Sequence, residues 1–297
     1  MLVSSVAVLI IAALALEGPE LLQNPGGFQR FIAEIASGPM GILILIAPGQ
    51  IFFLGLAIAA ALPSPDPLAK RLGMLRPRGS TRTWVLLALG TPAIQLAGIS
   101  LGSALFDMSE PSEHLQMIAA LITDQEGFLA VSLLILFASI FPGFSEELFF
   151  RGYLRVGLER RWGFKVAIFL PALIFAAVHM DPMHATVILP LGLWFGWLAH
   201  KSRSTIPSIA AHLINNLFAI LLARQTADLA PALAELSEAT ATAAEGTTEL
   251  SAEAVAATEL GTLALVAYGI SVLFLIAGIR SLRRSPPHEP NSSDNTG

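Results

Sequence analysis

Long apolar runs separated by short polar connections restrict the fold of this chain more than any other feature of its sequence. A hydrocarbon core of roughly 30 Å takes about 20 helical residues to cross. Runs suited to that length occupy residues 2–16, 40–62, 83–106, 128–150, 165–181, 184–200, 206–223 and 261–279. Backbone groups in lipid must be paired within their own segment, so such runs become helices. The expected fold is therefore all-α, a polytopic integral membrane protein with about eight transmembrane helices. Composition agrees, with 54% hydrophobic and 13% charged residues among 297. The first run is short and lacks a basic region before it, and its Ala13-Leu14-Ala15 would also suit a signal-peptidase site.

The charges sort by side when the connections are alternated across the membrane. Residues 63–82, 155–165 and 201–205, with Arg280, Arg283 and Arg284, hold 14 of the 17 basic residues. The opposite connections collect acids, among them Asp107, Glu110, Glu113, Asp124 and Glu126. The positive-inside rule then predicts a multi-pass protein of the cell (inner) membrane with both termini cytoplasmic. Alanine-rich composition and compact loops suit a bacterial chain. The expected division is 1–127 for the first helices and their loops, 128–223 for a helical core, 224–260 for an acidic Ala/Glu-rich extracytoplasmic loop with marginal surface helices, 261–284 for a last helix with a basic end, and 285–297 for a disordered tail.

A few ionisable groups stay inside the apolar runs, where each is costly without a partner. Glu147 and Arg151 are four apart with the acid first, the favourable order for a helical ion pair. Glu146 is rotated from Glu147 by about 100° and needs a partner from another helix. His179 closes the fifth run, while His212 lies in the seventh with Asn216 one turn later. With no cysteine in the chain, any metal falls to His, Asp, Glu or Asn. Two imidazoles and a carboxylate (Glu146, His179, His212) match the ligand types of a catalytic zinc site with room for water. The carboxylate could instead act as general base while a histidine helps hold the water, and Asn216 could donate to a developing oxyanion. Either route supplies peptide-bond hydrolysis. His212 lies about six residues, roughly 9 Å, from the basic end of its helix, which predicts a cavity opening toward that end. His179 lies about 14 residues into its own helix, nearer the midplane.

The three patterns Glu-Glu-x-x-x-Arg (Glu146, Glu147, Arg151), Phe-x-x-x-His (Phe175, His179) and His-x-x-x-Asn (His212, Asn216), in this order on successive helices, resemble the CPBP family of intramembrane proteases. That family comprises CAAX prenyl endopeptidases, bacteriocin-processing enzymes and Abi proteins. The resemblance covers about residues 128–223. It implies an intramembrane endopeptidase acting on a membrane-associated peptide or protein, with Glu146 activating water, His179 and His212 binding Zn2+ or the water, and Asn216 supporting the oxyanion. Glu147 with Arg151 would be the strut that leaves Glu146 free. The implied partners are the bilayer and a peptide or protein substrate, with no nucleic acid. One alternative is a non-catalytic immunity or scaffold protein that keeps the polar residues as structural glue; another is a carrier using Glu and His as a proton relay, against which stands the lack of an internal repeat.

Two smaller features complete the reading. Gly98 with Gly102 and Gly192 with Gly196 are spaced for close helix approach, the second pair between the histidine helices. Trp162, Trp194 and Trp197 are expected as interfacial anchors.

Overall fold

A computed structural model of the chain describes residues 39–107, 110–243 and 252–284, with a few single positions before residue 39. The chain is an all-α, polytopic membrane protein, and no strand occurs among the described residues. Its helices are α1 (Pro39–Leu45), α2 (Ala47–Ala61), the short α3 (Leu68–Arg71), α4 (Thr81–Leu89), α5 (Thr91–Leu105), α6 (Glu113–Thr123), α7 (Gly127–Ala177), α8 (Pro182–Ser202), α9 (Ile206–Ala243) and α10 (Ala252–Arg284). Among the described residues, six helical stretches are long and apolar enough to cross a membrane. The run at 2–16 and the tail 285–297 lie outside the described residues. The segment read as a loop from 224 is instead a continuation of α9 to Ala243, and α10 begins at Ala252; the residues between 243 and 252 are likewise not described.

Of the two spans by which the expected number exceeds the observed one, one is the run at 2–16, outside the described residues, and the other lies in α7. This stretch of 51 residues contains both runs read at 128–150 and 165–181. Phe150 and Phe175 would be about 37 Å apart on a straight helix. Their ring centroids are 5.3 Å apart. The chain therefore folds back midway, and Gly163 sits at that midpoint with φ 79° and ψ 175°, a conformation open essentially to glycine alone. Two π-helical stretches, Leu136–Ile140 and Leu148–Leu154, flank the α-helical turn that carries Glu146 and Glu147. π-Bulges of this kind recur at functional sites because they re-aim side chains within a continuous helix.

Small residues let the helices approach closely, as the lipid-facing packing of membrane helices requires. A Cβ on Gly98 would lie 1.9 Å from the Val187 carbonyl oxygen, so α5 and α8 touch backbone to backbone. Gly192 and Gly196 face Ala172 and Ile168, which draws α8 onto the second limb of α7. A core of Trp84, Leu87, Leu191, Phe195, Leu198 and Ala211 joins α4, α8 and α9. Trp194 and Trp197, half-buried, stack at 5.0 Å and pack against this core, and the Trp194 indole donates to Thr91 Oγ1 at 3.1 Å. Trp162 stays exposed beside Gly163.

The basic connections meet at one end of the bundle, as their charge predicts. Thr205 N donates to Gly73 O at 2.8 Å, Thr205 Oγ1 to Leu72 O at 3.0 Å and Ser204 Oγ to Leu75 O at 2.6 Å. Glu159 accepts from Arg155, His200 and Arg203, while Arg160 reaches Asp66 at 2.9 Å. Thr83 Oγ1 and Ser281 Oγ, 2.7 Å apart, bring the basic end of α10 to the same place.

Candidate functional site

Glu146 and Glu147 are neighbours in sequence and both buried, yet they meet different partners. Glu147 Oε1 accepts from Arg151 Nη1 at 2.7 Å and from His212 Nδ1 at 3.0 Å. Arg151 is 1% exposed; its second amino group donates to Gly192 O at 3.0 Å, and the guanidinium lies 4.5 Å from the centre of the Phe175 ring and 5.3 Å from that of Phe195. A cation so far from water is retained by its carboxylate, carbonyl and aromatic partners. Glu147 and Arg151 thus tie α7 to α9 through His212 and to α8 through Gly192.

Glu146 has a neutral partner instead. Gln50 Nε2, from α2, donates to Glu146 Oε1 at 2.9 Å, and the Gln50 carbonyl oxygen is in turn met by Ser145 Oγ. The other carboxylate oxygen is 3.9 Å from His212 Nε2, beyond a direct hydrogen bond. Sequence reading missed Gln50, which is fully buried. The available signal was a lone amide inside an apolar run, a position where a polar group needs a partner.

The two histidines present the same ring nitrogen. Glu147 and the Phe175 carbonyl are acceptors, so His212 Nδ1 and His179 Nδ1 donate to them, the latter at 2.8 Å. In each neutral ring Nε2 then carries the lone pair. His212 stacks on Phe195 at 4.9 Å and meets the Phe175 ring edge-on at 5.9 Å, while His179 meets the same Phe175 ring at 5.3 Å. Phe175 therefore contacts both histidines. Asn216 Nδ2 donates to Ala138 O in the first π-stretch at 3.2 Å, leaving one amide hydrogen for other use.

Glu146, His179, His212 and Asn216 all line one cavity of about 370 Å³. Its walls are otherwise mostly apolar, including Phe175, Phe195, Ile188 and Leu191. The floor lies at Glu146, His212 and Phe195, and the walls rise away from the basic end to His114, His179 and His184. Below His212 the bundle is closed by Ser202, Ser204, Thr205 and Ser208, all fully buried. The cavity thus rises toward the end opposite to that expected, because the basic-end connections interlock while α6 lies across the other end. His114 of α6 contacts His184 at a ring distance of 5.5 Å, and Arg224 of α9 donates to Ile122 O and Gln125 O at 2.8 and 2.9 Å. Burial holds the His114 imidazole below the usual histidine range, against the opposing field of Asp181.

Zinc needs three protein ligands converging at about 2.0–2.2 Å on one point. Among the described residues, no group of three His, Asp or Glu side chains is so arranged. Glu146 and His212 approach to 3.9 Å, and His179 lines the same cavity.

Residues 128–218 match the family profile described as "Type II CAAX prenyl endopeptidase Rce1-like". The match falls on the helical core in which the motif resemblance was read. The chain is also similar to the Bacillus subtilis (strain 168) protein described as "Putative membrane peptidase YdiL", with 29% identity over 117 residues, 39% of this chain and 46% of the relative. It thus spans about half the length of that curated relative. No solved structure matches the chain.

Proposed function

We propose that this chain, whose core at residues 128–218 belongs to the Rce1-like family, is an intramembrane endopeptidase in which Glu146 activates the attacking water. The observation that carries this reading is the unequal use of two adjacent carboxylates. Arg151 and His212 both bond to Glu147 Oε1, away from the cavity lining, whereas Glu146 lines the cavity with only the Gln50 amide on it. A general base must keep an acceptor free toward the reacting proton, and Glu146 does so.

In the proposed step a water between Glu146 Oε2 and His212 Nε2 gives a proton to Glu146, and its oxygen adds to the substrate carbonyl carbon. The spare amide hydrogen of Asn216 supports the oxyanion. On collapse the C–N bond breaks, and Glu146 returns its proton to the leaving amine. Glu147, with Arg151 behind it, fixes the His212 ring and its tautomer. His179 offers Nε2 to water or substrate from the cavity wall.

The decisive experiment needs no known substrate. New protein N-termini are profiled in membranes from cells expressing the wild type or Glu146→Gln. Termini present only with the wild type, beside equal thermal stability of the two purified proteins, support the peptidase; identical profiles remove it and leave a scaffold or immunity role. Metal content addresses the zinc expectation separately. A glutamate-only site predicts activity in chelator and no stoichiometric metal, while one zinc per chain, lost in folded His179→Ala and His212→Ala, would establish Glu146, His179 and His212 as ligands.

Sidedness belongs to the same proposal. With the basic end cytoplasmic, the cavity rises toward the extracytoplasmic half of the bilayer, which fits an exported peptide or a membrane-protein segment better than a cytosolic one. Because the chain has no cysteine, single cysteines at His114 and Arg160 read this with an impermeant maleimide. Labelling of intact cells at 114 alone is expected; labelling at 160 alone reverses the orientation.

A further inference from the structure

Seven buried side-chain nitrogen or oxygen atoms among the described residues lack a hydrogen-bond partner. Three of them, Gln95 Oε1, Asn215 Oδ1 and His184 Nδ1, belong to residues lining the cavity above Glu146. Two others, on Glu147 and Arg151, belong to the ion pair whose remaining atoms are engaged. An unpaired buried acceptor costs the protein its desolvation, so three in one apolar cavity need a reason.

We infer that Gln95, Asn215 and His184 are the substrate-binding groups of the cavity, holding the main-chain amides of an extended peptide above the scissile bond. The inference rests on the peptidase reading. The three are stepped in depth. Asn215, 3% exposed, follows His212 by three residues and so lies on the same helical face. Thr91 pairs with Trp194 and Gly98 touches Val187, so α5 and α8 run antiparallel and Gln95 stands near the level of Leu191. His184 stands eleven residues, about 16 Å, from Phe195 at the floor. From the level of Leu191 to His184 is seven residues, about 10 Å, and an extended strand advances about 3.3 Å per residue, so Gln95 and Asn215 near the floor and His184 above them span about three peptide units. A carboxamide offers one acceptor and two donors, the complement of a peptide group, and the apolar walls leave room for apolar side chains. Affinity would then reside in backbone hydrogen bonds, with selectivity for small apolar residues.

The test uses N-acetyl-tetraalanine amide and its fully N-methylated analogue as probes on the detergent-solubilised full chain. The unmethylated probe at millimolar concentration is expected to raise the melting temperature of both wild type and Glu146→Gln, and the methylated one to leave it unchanged. Gln95→Met and Asn215→Leu should melt at or above the wild-type temperature while binding the probe at least tenfold more weakly. His184→Phe should do the same at the outer end. Equal effects of the two probes, no stabilisation of the wild type, unaltered affinity in the variants, or a marked loss of their thermal stability would each overturn the assignment. Failure of the peptidase reading is seen elsewhere, in cleavage that Glu146→Gln does not abolish; probe binding without cleavage keeps this inference and removes that reading.

Discussion

The two ends of the bundle handle polar groups in opposite ways. At the basic end, Ser202, Ser204 and Thr205 are fully buried; Ser204 and Thr205 donate to the Leu75 and Leu72 carbonyls and Ser202 to those of Leu198 and Ser204, while Glu159 gathers three cationic or imidazole partners. Around the cavity that rises from there, Gln95, Asn215 and His184 each keep a buried polar atom unpaired. Residues of similar polarity are thus paired at one end and carry unpaired atoms around the cavity. The contrast teaches that burial of a polar group in a membrane bundle says little until its hydrogen bonds are counted.

The largest effect is expected where the two regions meet. Glu147→Ala strands Arg151 among phenylalanines and should cost about 3–5 kcal/mol, read as a large drop in melting temperature in detergent. An unchanged melting point would mean that the ion pair does not hold the floor of the cavity. At the closed end, Thr205→Val removes the donor to Leu72 O and should destabilise by about 1–3 kcal/mol. Asn215→Leu, similar in size of change, should not, and a matching loss in both variants would erase the contrast between the ends. At the far end Arg224→Met frees the last turn of α6. Amide exchange should rise in residues 113–125 with little change elsewhere, whereas a global rise would show that α6 is part of the common core.

The smallest effect belongs to Asp66, half-buried at the basic end. Hydrogen bonds from Lys70 and then Arg160 hold its carboxyl below its ordinary value of 3.8. Its contribution is therefore present above that pH and is lost as the pH falls further. Asp66→Asn should lower the melting temperature slightly at pH 7, and the difference should shrink as the pH falls below 3.8; a difference that grows toward low pH would reverse the sign.

Much of this arrangement is legible in the residues themselves. The apolar runs mark the spans because every backbone group in lipid needs an internal partner, and the connections rich in Lys and Arg meet at one end of the bundle. Glu147 with Arg151 is a local i,i+4 relation, visible without a structure. Gln50 was not, because it meets Glu146 from 96 positions away. The π-stretches around Glu146 carry no residue signature of their own. The direction of the cavity was misjudged because depth along α9 locates His212 but says nothing of Ser202, Ser204 and Thr205, which close the space beneath it.

The distances in sequence between the buried polar partners also set an order of assembly. An arginine at the centre of an isolated membrane helix costs about 3 kcal/mol during insertion, and α7 carries Glu146, Glu147 and Arg151 together. Arg151 and Glu147 can neutralise each other as soon as their turn of helix forms. Gln50 has already been synthesised when Glu146 enters, whereas His212 arrives 65 residues after Glu147. During biogenesis each acid therefore meets a partner that is adjacent or already present, and the histidine that completes the floor comes last.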